Sequence, residues 1–155
     1  MQIEVQITGM NELIKKVGNT PELLGAPLRN FFTHSTLTLQ KEAQMNTPVD
    51  TGRLRASETI KIDTSPIPLW GRVGTNVYYG VFVEEDTRPH FPPIQALAGW
   101  GRRHGIVPFL IARAISRRGT KGRHMFRQSL ETNKEQINNL LGGAANEIET
   151  AWGSK

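Results

Sequence analysis

Residues 28–45, LRNFFTHSTLTLQKEAQM, decide the fold because their apolar side chains recur at helical spacing. Steps of three and four residues place six side chains on one face: Leu28, Phe31, Phe32, Ser35, Leu39 and Ala43. Pro27 suits the first turn of a helix, where its missing N–H has no role, and Pro48 stops a helix before it. The sequence therefore predicts one long helix over about residues 28–45.

Four stretches around this helix have the composition of β-strands. Residues 2–7 alternate apolar and polar side chains, as do residues 53–63, and residues 69–75 return as a strand. Residues 77–84 are rich in β-branched and aromatic side chains, which strands favour. The last three stretches are close enough in sequence to pair as an antiparallel meander. We therefore expect an α+β fold over residues 1–155, an antiparallel β-sheet packed against the long helix.

Further helices are indicated by capping residues and prolines. We expect a short helix capped by Asn11 and ending at Gly18, a segment opened by Thr20-Pro21-Glu22, a helix after Pro92-Pro93 with Ile94, Leu97, Ala98 and Gly101, and a helix from Pro108 to Gly119. In the last of these the predicted inward residues are Leu110, Ile111, Ala114 and Ile115, with Arg113 and Arg117 outward.

The C-terminal segment predicts a long helix, or two, with apolar residues at multiples of helical spacing from Phe126 to Trp152. Gly142-Gly143 costs about 1 kcal/mol per glycine relative to alanine inside a helix. A bend or an early end is therefore expected there, which would leave the residues after about 142 as a flexible tail.

Composition limits the classes of function. The chain has 155 residues and no cysteine, so it has no thiol chemistry, and its length suffices for a core without disulfides or metal. The N-terminal stretch MQIEVQITGM lacks the pattern of a signal peptide, and no run approaches the roughly 20 apolar residues that span a bilayer. We expect a protein that is made in the cytoplasm, with no membrane association.

The net charge of +5 is distributed unevenly. Residues 87–130 contain no Asp or Glu but nine of the 19 basic residues: Arg88, Arg102, Arg103, Arg113, Arg117, Arg118, Lys121, Arg123 and Arg127. The remainder has ten basic against 14 acidic residues and is net negative by four. Such a chain suits contacts with copies of itself or with partners of opposite sign, non-specific contact with DNA, or simply a solvated basic face.

Asp50-Thr51-Gly52 has the form of an aspartic protease motif, but that chemistry needs two carboxylates sharing one proton, and the chain has one such tripeptide. The structural interpretation is that Asp50 bonds backbone amides of the following turn, while Gly52 supplies unusual dihedrals and the turn directs Arg53 and Arg55 at a neighbour. The four histidines lack metal-site spacing, and neither a Gly-x-Ser-x-Gly elbow nor a P-loop is present. We expect no catalytic residue, no metal and no cofactor.

The order of motifs resembles the gene-product-ten-like family of HK97-type tailed phages. That family has an Ala-x-x-x-x-Pro-x-Asp-Thr-Gly-x-Leu-(Arg) element, then Tyr-Ala-x-x-Val-Glu, then His-x-Pro-Pro and a helix. The matching residues here are Ala43, Pro48, Asp50, Thr51, Gly52, Leu54 and Arg55, then Tyr79, Gly80, Val83 and Glu84, then His90, Pro92 and Pro93. Asp86-Thr87 departs from the Gly-Thr pair usual after the Glu. The resemblance covers roughly residues 40–130.

The resemblance implies a structural protein of the virion that joins head to tail or completes the tail, as a ring component beside a connector, stopper, tail tube or terminator. A tail terminator or minor tail protein is the alternative, and a small DNA-binding protein is the third. The expected subunit contacts are Asp50, Thr51, Gly52, Arg53, Arg55, Tyr78, Tyr79 and Glu84. The basic residues expected to face a partner or DNA are Arg102, Arg103, Arg113, Arg117, Arg118, Lys121 and Arg123.

Overall fold

The computed structural model describes residues 1–9 and 21–153, and this part of the chain forms three strands and six helices. The strands are β1 (Gln2–Gln6), β2 (Glu58–Ile62) and β3 (Trp70–Thr75). The helices are α1 (Pro21–Asn46), α2 (Arg53–Ala56), α3 (Gly80–Glu84), α4 (Ile94–His104), α5 (Pro108–Arg118) and α6 (Met125–Gly153). The helix predicted from Asn11 to Gly18 lies outside the described residues.

The sheet is antiparallel with strand order β1-β3-β2, so the N-terminal strand pairs with the last strand in sequence. Val73 in the central strand lies opposite Ile3 on one side and Ile60 on the other. The sheet packs closely on α1, because a Cβ at Gly71 would stand 2.7 Å from the Cγ2 atom of Thr36. Glycine therefore lets the central strand approach the long helix.

The main core lies between α1, the sheet and α6. All six side chains of the predicted helical face are buried: Leu28, Phe31, Phe32, Ser35, Leu39 and Ala43. From α6 the core receives Met125, Phe126, Ile137 and Ala144. The predicted α+β class, with an antiparallel sheet against a long helix and a long C-terminal helix, is confirmed.

The predicted start of the long helix is wrong. We expected Pro27 to open it, whereas α1 begins at Pro21 and continues through Pro27. Leu24 and Leu28 on either side of the proline are buried in a second apolar cluster with Ile67, Leu69 and Ile148. Burial of this apolar area offsets the hydrogen bond that proline cannot donate.

Two of the predicted strands are also corrected, and with them the meander. Residues 53–56 form the helical turn α2, so β2 begins only at Glu58. Residues 77–84 form a turn followed by α3, in which Val77, Gly80 and Glu84 are buried at steps of three and four residues. That spacing is helical, and β-branched content alone misled the prediction. The third strand of the sheet is β1.

The helices of the second half follow their capping signals more closely. α4 begins after Pro92-Pro93, and α5 runs from Pro108 to a cap at Gly119, both as predicted. Within α5, Ile111 and Ile115 are partly buried, but Leu110 and Ala114 are exposed, so their predicted inward orientation is wrong. α6 continues through Gly142-Gly143 to Gly153, so the early end near residue 142 is also wrong. Ala144 and Ile148, which lie beyond the glycines, pack on the body of the protein.

Candidate functional surfaces

The turn at Asp50-Thr51-Gly52 contacts α4 through the side chain of Asp50. Gly52 has φ +78°, the left-handed conformation that glycine was predicted to supply. The carboxylate of Asp50 differs from the prediction, because it binds side chains of α4 rather than amides of the turn. Arg103 donates from Nε to Oδ1 at 2.8 Å and from Nη2 to Oδ2, and His104 Nε2 lies 3.3 Å from Oδ1.

This contact fixes the charge of both partners. The hydrogen bond from Arg103 lowers the pKa of Asp50 below its ordinary value, and the same bond raises the pKa of Arg103. The indole ring of Trp100 stacks on the imidazole of His104 with ring centroids 4.2 Å apart. Asp50 is therefore held as a carboxylate at neutral pH, in an arrangement that positions α4.

α4 and α5 together form a helical arm, residues 88–118, whose two ends are joined at its base. The Thr87 amide donates to the Thr120 carbonyl at 2.9 Å, and the Thr120 amide donates to Thr87 Oγ1 at 2.9 Å. The Gly122 amide donates to Asp86 Oδ1 at 2.7 Å, and the Arg123 amide donates to the Val83 carbonyl at 2.7 Å. A Cβ at Gly119 would stand 1.9 Å from the Thr87 carbonyl oxygen. Glycine is therefore required for this close approach.

Large apolar side chains are exposed along the arm. Val107 in the α4–α5 connection is 60% exposed, and Leu110 and Phe109 in α5 are 52% and 49% exposed. Phe91, which precedes α4, lies 6.4 Å from Phe109 between ring centroids. Clusters of exposed apolar groups on a small protein indicate an interaction site.

The basic residues predicted to face a partner are all exposed: Arg102, Arg103, Arg113, Arg117, Arg118, Lys121 and Arg123. Arg103 binds Asp50, as described above. Five of the seven belong to the arm, and Lys121 and Arg123 follow it at its base. The arm is therefore both basic and apolar on its surface.

The two groups of predicted subunit contacts are neighbours in the structure. The side chain of Leu54 in α2 reaches the backbone of Gly80 in α3, because a Cβ at Gly80 would stand 3.3 Å from Leu54 Cδ1. Thr51, Arg53 and Arg55 are exposed, and Gly52 is partly exposed. Tyr78 is 82% exposed, while Tyr79 packs on the core with its ring edge-to-face against Tyr78. One tyrosine of the pair thus faces away from the core.

Glu84 does not belong to this surface. Its side chain is 0% exposed, so it cannot contact another subunit in this conformation. Its two carboxylate oxygens accept the backbone N–H groups of Phe126 and Arg127, each at 3.0 Å. These are first-turn amides of α6, where helical N–H groups lack intrahelical partners and the helix dipole favours a negative charge. Glu84 therefore anchors the start of the C-terminal helix.

A second buried carboxylate, Glu58, was not recognised in the sequence. Its Oε1 accepts a hydrogen bond from Thr47 Oγ1, which also lies 3.1 Å from the sulfur of Met125. Burial raises the pKa of Glu58, opposed by the hydrogen bond from Thr47 and the charge of Arg55, with a further rise from Glu84. Alternation at residues 58–62 was visible in the sequence, but it could not show that a glutamate starts the buried face.

Comparison of the chain with protein-family models, with curated proteins and with solved structures found no match. In the part of the chain that the structure describes, no helix combines the length and apolar character that a membrane crossing needs. Among the same residues, no group of three or more His, Asp or Glu side chains is placed to hold a metal ion.

Proposed function

We propose that this chain is a structural protein of a tailed phage or prophage virion that joins head to tail or completes the tail. Copies would pack as a ring around the axis, with a connector, stopper, tail tube or terminator as neighbours. The chain would be made in the host cytoplasm and end in the virion. The proposal is supported by the ordered resemblance over roughly residues 40–130 and by the surface of the arm.

The observation that carries the proposal is the arm of residues 88–118. It has exposed Phe91, Val107, Phe109 and Leu110 together with a basic surface, and its base is fixed by the hydrogen bonds between residues 83–87 and 120–124. A fixed element with an uncovered apolar surface suits a protein that meets its partner during assembly.

The surroundings of Asp50 support a non-enzymatic role. An aspartic protease dyad holds one shared proton between two carboxylates. Asp50 instead faces Arg103 and His104, and Arg103 lowers its pKa, so it favours the ionised form. The tripeptide Asp-Thr-Gly thus fits a structural turn better than a proton-sharing pair.

DNA binding is the candidate from a different class, and the acid-free stretch of residues 87–130 favours it. Arginines that neutralise phosphates need no sequence motif, and such binding weakens steeply with salt. Retention of duplex DNA by the purified chain that falls as salt rises would support this candidate. Retention that is absent at low salt would exclude it.

Electron microscopy of particles from a phage with an early nonsense codon in this gene tests the proposal. We expect packaged heads beside separate tails of normal length. Abnormally long tails would support the alternative of a tail terminator. Intact infectious particles would contradict an assembly role.

A further inference from the structure

The arm presents an exposed helical face on α5. Five exposed residues, related by helical steps of three and four, make up this face: Phe109, Leu110, Arg113, Ala114 and Arg117. Among the described residues, neither Arg113 nor Arg117 has a carboxylate within 4.0 Å. The face therefore combines apolar area with two unpaired positive charges one helical turn apart. We call it the α5 face.

α6 presents a face of opposite charge on the outside of the protein. Exposed residues at helical spacing form this stripe, which is net negative by two: Glu131, Lys134, Glu135, Asn138, Gly142 and Glu149. Within the described part of the chain, Glu131 and Glu135 have no basic group within 4.0 Å. We call it the α6 face. Glu131 and Glu135 are also one turn apart, so they repeat the spacing of the arginines.

We propose that the α5 face of one copy docks on the α6 face of a second copy of this chain. In an antiparallel arrangement, Arg117 lies opposite Glu131 and Arg113 lies opposite Glu135. The two arginines are four residues apart on α5, and the two glutamates are four residues apart on α6. Four residues span about 6 Å along a helix, so the two contacts can form together. Complementary charges at matched spacing fix the register and orientation of an interface.

The same register places the apolar part of the α5 face beside the least bulky part of the α6 face. Leu110, which is exposed, then lies opposite Asn138, one helical turn before Gly142. A Cβ at Gly142 would meet no atom of residues 1–9 and 21–153 within 4 Å, so packing within this part of the chain does not require glycine there. A flat site that accepts an apolar side chain from a second copy accounts for a glycine that otherwise weakens the helix.

The contact is heterologous, because one copy contributes α5 and the other contributes α6. Repetition of a heterologous contact produces a ring when the rotation closes. The inference therefore rests on the proposed function for its biological setting, since it names the surfaces that would build the ring. Self-association can nevertheless be measured without the phage.

Disulfide trapping tests the contact, since the chain has no cysteine of its own. Arg117→Cys is prepared with an affinity tag, Glu131→Cys is prepared without one, and the two are mixed and oxidised. We expect the tagged–untagged species to form well above the yield from either variant alone. The matched control replaces Glu131→Cys with Lys61→Cys, an exposed position on β2 outside both faces. Mixed cross-linking no greater than in this control would overturn the proposal.

Charge reversal provides the second measurement. Arg113→Glu with Arg117→Glu should weaken self-association in sedimentation by about 100-fold or more, because like charges then face each other. Adding Glu131→Arg and Glu135→Arg in the same chain should restore it. Failure of this rescue would contradict the pairing. Loss of duplex DNA retention with unchanged self-association in the double arginine variant would also contradict it, because the arginines would then bind DNA.

The outcomes separate this inference from the proposed function. If trapping and charge rescue succeed but phage particles that lack the chain show no defect, the contact is retained and the virion role is rejected. Separate heads and tails in such particles without trapping would retain the role and reject the contact.

Discussion

Replacing Glu84 with glutamine should destabilise the fold by about 1–5 kcal/mol, because its buried carboxylate accepts hydrogen bonds from two amides of α6. Its oxygens lie 3.0 Å from the nitrogens of Phe126 and Arg127, and the side chain is fully buried. Glutamine keeps one acceptor and turns an NH2 group toward the second amide, which costs about 1–3 kcal/mol for the unpaired donor. Loss of the negative charge at the helix N-terminus adds up to about 2 kcal/mol in a buried setting.

The neighbouring Glu85 supplies the matched control. Its carboxylate is partly exposed and lies 3.2 Å from Arg127 Nη2, a surface ion pair of about 0–1 kcal/mol. Urea unfolding followed by circular dichroism gives the free energy of unfolding of Glu84→Gln, Glu85→Gln and the unaltered chain. A loss below about 0.5 kcal/mol for Glu84→Gln, or an equal loss in both variants, would refute the anchoring role assigned to Glu84.

Three further predictions concern stability. Burial raises the pKa of Glu58, so its contribution to stability is present at acid pH and is lost as pH rises through the raised pKa. Glu58→Gln should therefore gain stability relative to the unaltered chain as pH rises above about 4, and a difference in urea unfolding that does not change with pH would contradict this. Hydrogen bonds from the Ser65 amide and hydroxyl lower the pKa of Asp63. Asp63→Asn should therefore lower the free energy of unfolding by about 1 kcal/mol at pH 7, and by less as pH falls below about 4, as measured by urea unfolding. Gly122→Ala should lower stability by about 1–3 kcal/mol, since its Cβ would stand 2.4 Å from the Glu84 carbonyl oxygen. Gly142→Ala should instead raise stability by about 1 kcal/mol, because alanine favours a helix more than glycine does. Equal thermal midpoints for the two variants would refute this contrast.

The elements that the sequence predicted well are those in which local signals agree with burial. The face of α1 from Leu28 to Ala43 is periodic enough to identify the core side. α4 and α5 are bounded by Pro93, Pro108 and Gly119, residues that limit the backbone whatever lies around them. The predicted end of β2 and both predicted ends of β3 lie within a residue or two of the paired residues. The predicted start of β2 is wrong, because residues 53–56 form a helical turn.

The errors arose where contacts distant in sequence decide the structure. Residues 77–84 have strand-like composition, but the buried carboxylate of Glu84 must meet α6, 42 residues away, and a helical turn brings it there. The partner of Asp50 was missed for the same reason, because Arg103 is 53 positions away. Leu110 and Ala114 were assigned to the core because hydrophobicity does not reveal whether another element covers a face. Exposure on α5 is visible only in the folded chain.

The proposed role in virion assembly is tested most directly by adding the purified chain to a lysate of phage that carries a nonsense codon in this gene. Electron microscopy and plaque counts then report whether separate heads and tails become joined, infectious particles. The account predicts restoration by the unaltered chain and by Lys61→Glu, an exposed substitution outside the arm, but not by Arg113→Glu with Arg117→Glu. Separate heads and tails that stay unjoined with the unaltered chain, or a lysate already full of infectious particles, would contradict it.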